Sequence, residues 1–206
     1  MVTTGFSKPY IAKYSNSGTT VTYTGGMMLG RGVSMSLDVD TADDNNFYAN
    51  NEVAESETAQ FTSGSATIII DGLESAAATL ALGLSTPISL TVGEKQVQMQ
   101  GYGELKAPYV GYGCVRRTQM NGAVKFWPLI LPKIKFNIPK DEANTAEDKI
   151  DWQTQELAAI VLRDDTEKKN WKVISVEGMD TEAEAEAAVK AFLNITDTGG
   201  EIGRRA

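Results

Sequence analysis

The chain has 206 residues, a formal net charge of −8, one cysteine and no histidine. This length and a hydrophobic content of 42% suffice for one domain with a buried core. A single cysteine excludes an internal disulfide framework and a cysteine-based zinc site, and the lack of histidine removes the commonest general base, which argues against an enzyme.

Short strands dominate the predicted elements. Residues 33–40, VSMSLDVD, alternate Val33, Met35, Leu37 and Val39 with polar residues, which is the period of a half-buried strand. The segments KQVQMQGY, with Val97 and Met99 on one side, and KIKFNI follow the same rule. Further strands are predicted in TVTYTGG, SATIII, ISLTV, PYVGYGCVRRTQM, AVKFWPLIL, ELAAIVL and NWKVISV. About nine or ten strands separated by turn residues predict a mainly β fold, a β-sandwich or barrel.

Two helices interrupt the strands. In DGLESAAATLALG the apolar residues recur at helical spacing, Asp71 and Glu74 are spaced as a capping pair, and Gly83 follows the last turn. This helix is expected to flank a sheet. A second, short helix is predicted near the C-terminus, over residues 180–194. Thr181 and Glu184 form its capping box, and its buried face consists of Ala185, Val189 and Phe192.

Glycine and proline mark two unusual strands. The glycine-rich segment 101–114 does not lead from a strand into a helix, so it is not a phosphate-binding loop; its glycines are expected at bends, bulges or close packing. Pro128 and Pro132 interrupt the apolar strand KFWPLILPKIKF, which predicts an edge strand or a bulge. That strand is expected either to join another molecule or to lie in the core.

Charge is distributed in blocks. Residues 32–94 contain ten acidic and no basic residues, whereas residues 95–140 contain eight basic residues and one acidic residue. Such blocks can pair within the fold or between copies. The acidic segment 38–57 lacks the glycine and the final glutamate of an EF-hand loop, so no metal site or other cofactor site is predicted. No apolar run reaches the roughly 20 residues of a membrane span, and the first residues do not form a signal peptide.

The segment ADDNNFYANNEVAESETAQFTSGSATIIIDGL, placed between the alternating strand and an alanine-rich helix ending in LALGL, resembles the major tail proteins of long-tailed phages that infect Gram-positive bacteria. The strand and acidic helix in NWKVISVEGMDTEAEAEAAVKAFLN are similar to the end of the same family. The likeness extends over most of residues 30–195.

This resemblance implies a tail tube subunit, with residues 1–195 as a single β domain and residues 196–206 as a flexible tail. Six copies would close into a ring, and rings would stack into the conduit for DNA. Other copies are then the main partner, the tape measure, tail terminator and distal tail proteins are further partners, and DNA is only passing cargo. The protein would be made in the host cytoplasm and located in the virion, without contact with a membrane.

The family's long loop between early strands reaches a neighbouring subunit or ring, and that role corresponds to residues 40–64 here. Within it, Phe47 and Tyr48 are the candidate anchors. Complementary charge between stacked copies completes the predicted contact. The predicted interface residues are Asp43, Asp44, Phe47, Tyr48, Glu52, Glu55, Glu57, Arg116, Arg117, Lys133 and Lys135.

Two other functions stay open at this point. One is a different β-sandwich module, such as a capsid decoration protein or a carbohydrate-binding domain, in which Trp127, Trp152 and Trp171 could stack on sugars. The other is a hydrolase that uses paired carboxylates, for which Asp164 and Asp165 are candidates. Neighbours in sequence converge on a bond only if the fold aims them at it, so a solvated turn is the simpler interpretation of these two residues.

Overall fold

The computed structural model of the protein describes residues 2–42, 45–57, 60–103, 105–140 and 153–196. In chain order the elements are β1 (Val2–Ser17), β2 (Thr20–Met28), β3 (Gly32–Thr41), β4 (Asn45–Ala49), β5 (Glu52–Glu57), β6 (Phe61–Ile70), α1 (Ser75–Leu82), β7 (Ile88–Val92), β8 (Lys95–Met99), β9 (Val110–Met120), β10 (Ala123–Phe136), β11 (Gln155–Leu162), β12 (Val173–Ile174) and α2 (Glu182–Phe192). The predicted mainly β fold is confirmed. Within the described ranges, neither helix is long and apolar enough to cross a membrane.

Eight strands form one antiparallel sheet, in the order β2-β1-β9-β10-β11-β6-β3, with β12 beside β10. The sheet curls, because β1 also contacts β3 at the far end of this order. There the ring of Phe6 lies so close to Gly32 that a Cβ on residue 32 would come within 2.4 Å of it. The remaining four strands form two separate hairpins, β4–β5 and β7–β8.

Strand β1 is not predicted from the sequence. Its central residues are buried on both faces: Ile11 lies in the core inside the curled sheet, whereas Tyr10, Ala12 and Tyr14 lie in a second core outside it. A strand covered on both faces shows no alternation of apolar and polar residues. A bulge between Ser7 and Tyr10 further interrupts its pattern.

The two strands predicted over residues 123–131 and 133–138 form one strand, β10, which is bulged between Leu131 and Ile134. Of the two predicted alternatives, an edge strand or a bulge, the structure shows the bulge: β10 is a central strand, since β9 pairs with one side of it and β11 and β12 pair with the other. Pro132 lies within the bulge. Pro128 has no N–H, but this costs no hydrogen bond to β9. The backbone nitrogens of residues two apart in a strand face the same side, and the N–H of Phe126 points away from β9 and donates to the carbonyl of Met179.

Helix α1 closes the core inside the curled sheet, with Ala77, Ala78, Ala81 and Leu82 buried. The predicted capping pair is wrong: the helix begins after Glu74, whose side chain makes no capping bond. The Asp71 carboxylate instead accepts from the backbone N–H of Arg31 at 2.8 Å and pairs with the Arg31 guanidinium. These bonds lower the pKa of Asp71 and connect the start of β3 to the end of β6.

Helix α2 packs on the outer face of β1, β9 and β10 and forms the second core with them. The predicted capping box is confirmed, with Thr181 Oγ1 accepting from Glu184 N–H at 3.2 Å and Glu184 Oε2 accepting from Thr181 N–H at 3.1 Å. Ala185 and Val189 are buried as predicted. Phe192 is partly exposed, and Leu193 is buried in its place. Leu193 follows Val189 by four residues, as Val189 follows Ala185, so these three side chains lie on the same face.

The glycines of β9 let α2 approach the sheet. A Cβ on Gly113 would come within 2.6 Å of Val189, and one on Gly111 would come within 2.4 Å of Tyr23 and 2.8 Å of Leu193. Close packing was one of the predicted roles for these glycines. The neighbours are side chains of β2, β10 and α2 with its C-terminal cap Leu193, not another backbone.

A network of ion pairs and a hydrogen bond around Glu186 also joins α2 to β1. The Glu186 carboxylate pairs with Lys8 at 3.1 Å and Lys190 at 3.0 Å, and it accepts a hydrogen bond from the Tyr10 hydroxyl. Burial by itself raises the pKa of Glu186, but the bonds from Tyr10, Lys190 and Lys8 outweigh it and lower that pKa to about 2. Burial of the Tyr10 hydroxyl and its hydrogen bond to the Glu186 carboxylate raise the pKa of Tyr10 to about 12.

Replacing this carboxylate, in the variant Glu186→Gln, is expected to reduce the free energy of unfolding at pH 7 by on the order of 2 kcal/mol. The folded pKa of about 2 lies below the ordinary value of 4.5, so the charge stabilises the protein above pH 4.5 and the stabilisation disappears as the pH falls from there towards 2. Urea unfolding of wild type and variant at pH 7 and at pH 2.5 measures the difference in their free energy of unfolding at each pH. The control is Glu177→Gln at an exposed position. A difference from wild type that stays constant over this range would contradict the role of the charge.

Candidate assembly surfaces

Within the predicted loop, residues 40–64, residues 45–57 form a β-hairpin, and the ends of the range belong to β3 and β6 of the main sheet. Strands β4 and β5 pair in register from Asn45 with Glu57 to Ala49 with Glu52. Asn50 and Asn51 form the turn, both with positive φ, which is the backbone of a type I′ hairpin. Asparagine tolerates this conformation, so the sequence ANNE was the signal that could have predicted the hairpin.

The β4–β5 hairpin stands apart from the rest of the fold. Its strands belong to their own two-stranded sheet, and neither packs extensively against another element. At its base, the backbone N–H of Ala42 donates to the carbonyl of Gln60 at 2.9 Å and continues the pairing of β3 with β6. An arm of this kind lacks a partner within the described chain.

The predicted acidic and aromatic contacts lie on this arm or next to it. Glu52 and Glu55 are exposed on β5. Phe47 and Tyr48 lie on β4 and Glu57 lies on β5, while their side chains are outside the described part of the structure, as are Asp43 and Asp44 altogether. By register, Phe47 lies across from Glu55, and a bulge follows between Phe47 and Tyr48.

The predicted basic contacts lie on the main sheet, in two places. Arg117 is exposed and Arg116 is half-buried, with an Nε atom that has no hydrogen-bond partner. Lys133 is mostly buried and pairs with Asp165 at 2.7 Å, and Lys135 is exposed beside the ring of Tyr109. Among the side chains that the structure describes, none of these four bases pairs with an acid of the arm.

None of the described elements covers the outer face of β3, β6 and β11. These three strands carry three acids on it, Asp38, Asp40 and Glu156, and no basic residue. Hydroxyl side chains of β3 and β6 separate the acids, and the exposed Ile160 lies on β11. On β10, which pairs with β11, Lys135 lies across from Ile160. β3 is the last strand in the order of the sheet. From residue 33 onwards, its edge opposite β6 pairs with no other strand of the described chain.

A second hairpin, β7–β8, contradicts the prediction that Val97 and Met99 are half-buried. All residues of both strands are exposed. The sequence pattern gave the correct strands, with ISLTV matching β7 at both ends. The pattern alone could not tell whether the apolar side is covered.

Two sites suggested for other functions are occupied by packing contacts. Trp171 stacks on Phe61 with ring centroids 4.7 Å apart, and Trp127 Nε1 donates to Thr118 at 2.8 Å, whereas Trp152 lies outside the described residues. Both tryptophans therefore contribute contacts to the fold.

The paired carboxylates also have structural roles. Asp164 is buried and accepts from Thr166 Oγ1 at 2.7 Å. Asp165 accepts from Lys133 and from the Tyr14 hydroxyl, each at 2.7 Å, and these bonds lower the pKa of Asp165. Across the described ranges, no group of three or more Cys, Asp or Glu side chains could hold a metal ion.

No protein-family model matches the chain, and no curated protein matches it.

Proposed function

We propose that this protein is a self-assembling structural subunit of a phage tail tube. Copies would close into a ring, with six as the expected number, and rings would stack into the conduit through which DNA leaves the capsid. The resemblance in residues 30–195 suggests this class. The observation that carries the proposal is the acidic β4–β5 arm, which leaves the sheet at Ala42 and Gln60 and packs extensively against no other element of the described chain.

An arm of this kind suits contact between copies. Its described acids, Glu52 and Glu55, are exposed, and the exposed bases Arg117 and Lys135 lie elsewhere on the molecule. Because these two sets form no ion pair with each other among the described side chains, they suit a contact between chains. Head-to-tail contact requires two different surfaces of this kind, since identical charged surfaces repel each other. The unpaired edge of β3 offers a further contact, by strand addition.

The uncovered face of β3, β6 and β11 supports the role of a conduit. Each lysine or arginine that contacts a phosphate adds salt-dependent affinity for DNA, so a channel wall should carry few of them. Asp38, Asp40 and Glu156 repel phosphate, and these strands carry no base. We assign this face to the channel, with DNA as cargo only. The tape measure, tail terminator and distal tail proteins follow from the resemblance as further partners, and the virion as the location.

Electron microscopy and sedimentation of the purified protein test the proposal. We expect rings or tubes in negative stain and a rise in sedimentation coefficient with concentration. A protein that stays monomeric at the highest soluble concentration would overturn self-assembly. Binding of the monomer to a glycan panel would instead favour a carbohydrate-binding module.

A further inference from the structure

The β7–β8 hairpin presents one apolar face and one polar face. In the cross-strand pairs, Ile88 lies opposite Met99 and Leu90 lies opposite Val97, with Val92 next along the same face. These five side chains are 40–64% exposed. On the opposite face, Ser89 and Gln98 bond each other.

Nothing in the described chain covers the apolar face. The hairpin forms its own two-stranded sheet, and neither strand packs extensively against another element. A two-stranded hairpin is marginally stable in water by itself and gains stability when its apolar face is buried. A contiguous patch of this kind on a monomer usually marks a contact with another molecule.

Charge favours a second copy of this chain as that molecule. The chain carries a net charge of −8, so copies repel one another except where their surfaces are neutral or pair opposite charges. The hairpin, residues 88–99, contains one acid and one base, Glu94 and Lys95, both at the tip. The hairpin is therefore neutral as a whole, and it spans the boundary between the acidic block of residues 32–94 and the basic block of residues 95–140.

The area of this apolar patch also favours a second copy as the partner. Five half-exposed aliphatic side chains offer on the order of 400 Å², about half of what each partner buries in a stable interface between two separate proteins. This patch is therefore too small to hold an unrelated soluble partner by itself. In a closed homo-oligomer the same contact repeats at every junction and acts together with the other contacts there.

We propose that the apolar face of β7–β8 docks on a second copy of the protein and joins subunits within the assembly. The proposal rests on the self-assembly inferred above and adds a contact that neither the acidic arm nor the edge of β3 provides. Burial against the second copy also supplies the stability that the isolated hairpin lacks.

Site-specific photo-crosslinking tests this contact without disturbing the hairpin. A benzophenone amino acid replaces Leu90 on the apolar face or, as the matched control, the neighbouring Thr91 on the polar face. After irradiation of the assembled protein, we expect the Leu90 probe to give a product of twice the chain mass, at least fivefold above the yield from Thr91. Peptide mapping of the product then locates the accepting surface on the second copy.

A second variant measures the energetic role. Leu90→Thr with Val97→Thr keeps residues that favour strands but makes the face polar, and we expect assembly to require at least tenfold more protein. Thr91→Ser with Gln96→Thr on the other face should leave assembly unchanged. Assemblies that form normally with the Leu90 probe uncrosslinked would overturn this contact and leave the proposed function intact. A protein that never assembles would overturn both, and a crosslink only to an added foreign protein would overturn this contact alone.

Discussion

Replacing residues 43–59 with the dipeptide Asn-Gly is expected to abolish rings and tubes while leaving a folded monomer. The excision removes the β4–β5 arm and retains Ala42 and Gln60, whose backbone hydrogen bond of 2.9 Å closes the base of the hairpin. A two-residue Asn-Gly turn connects paired antiparallel strands with the required twist. Because the arm packs extensively against no other element, its loss removes no part of either core.

Sedimentation and negative-stain microscopy measure assembly of this variant, and circular dichroism and urea unfolding measure its fold. The matched control is Asn51→Gly, which keeps the whole arm and suits the positive φ of 67° at that position. We expect the control to assemble like wild type. Tubes formed by the excised variant would show that the arm is dispensable, and an unfolded variant would show that the arm belongs to the fold.

Truncating the residue that ends α2, in the variant Leu193→Ala, is expected to lower the free energy of unfolding by about 2–5 kcal/mol. Leu193 is fully buried in the outer core, and its side chain lies directly over Gly111 and Gly113 of β9. The glycines cannot fill the space that the truncation leaves, because they have no side chains to move. The cavity therefore persists, and its cost adds to the lost transfer free energy.

Urea unfolding, followed by tryptophan fluorescence and by circular dichroism, measures the loss. Val176→Ala is the control, since this side chain is 96% exposed and its truncation should change the stability by less than about 0.5 kcal/mol. If Leu193→Ala unfolded at the same urea concentration as wild type, α2 would be an appendage whose packing does not contribute to the cooperative fold. Separate transitions of the two probes would indicate that α2 detaches first.

The two variants address different properties of the molecule. The arm lies outside both cores, so its removal tests assembly without a large change in stability. Leu193 lies inside one core and far along the chain from the predicted contacts, so its truncation tests the fold. Since assembly stabilises any subunit by mass action, Leu193→Ala should be measured below the concentration at which wild type assembles.

Local patterns were sufficient for several elements. The strand ISLTV, the capping box of Thr181 and Glu184, and the buried positions Ala185 and Val189 depend on neighbours within a few residues. Such neighbours interact in nearly the same way in any fold, so the sequence shows them directly.

Elsewhere a distant residue decided the outcome. Asp71 caps no helix because Arg31, 40 residues earlier, takes its carboxylate. Lys133 pairs with Asp165 of its own chain, a contact 32 residues away that the sequence did not indicate, and its place at an interface stays a prediction. Pro128 lies in a central strand because the segment across from it needs no N–H of residue 128: the Phe126 N–H donates to the Met179 carbonyl, and the Ser175 N–H donates to the Pro128 carbonyl at 3.4 Å.

By itself, the sequence determined the mainly β class, the periods of most strands, the two helices and the division of charge into acidic and basic blocks. Composition and short-range periodicity carry this information, because each depends only on residues close together in the chain. Only the tertiary structure decided that β1 is covered on both faces, that the acidic hairpin stands apart from the sheet, and that no described element covers the apolar face of β7–β8. These properties depend on which surfaces meet across long distances in sequence, and a strand has the same period whether its apolar side faces a core, a partner or water.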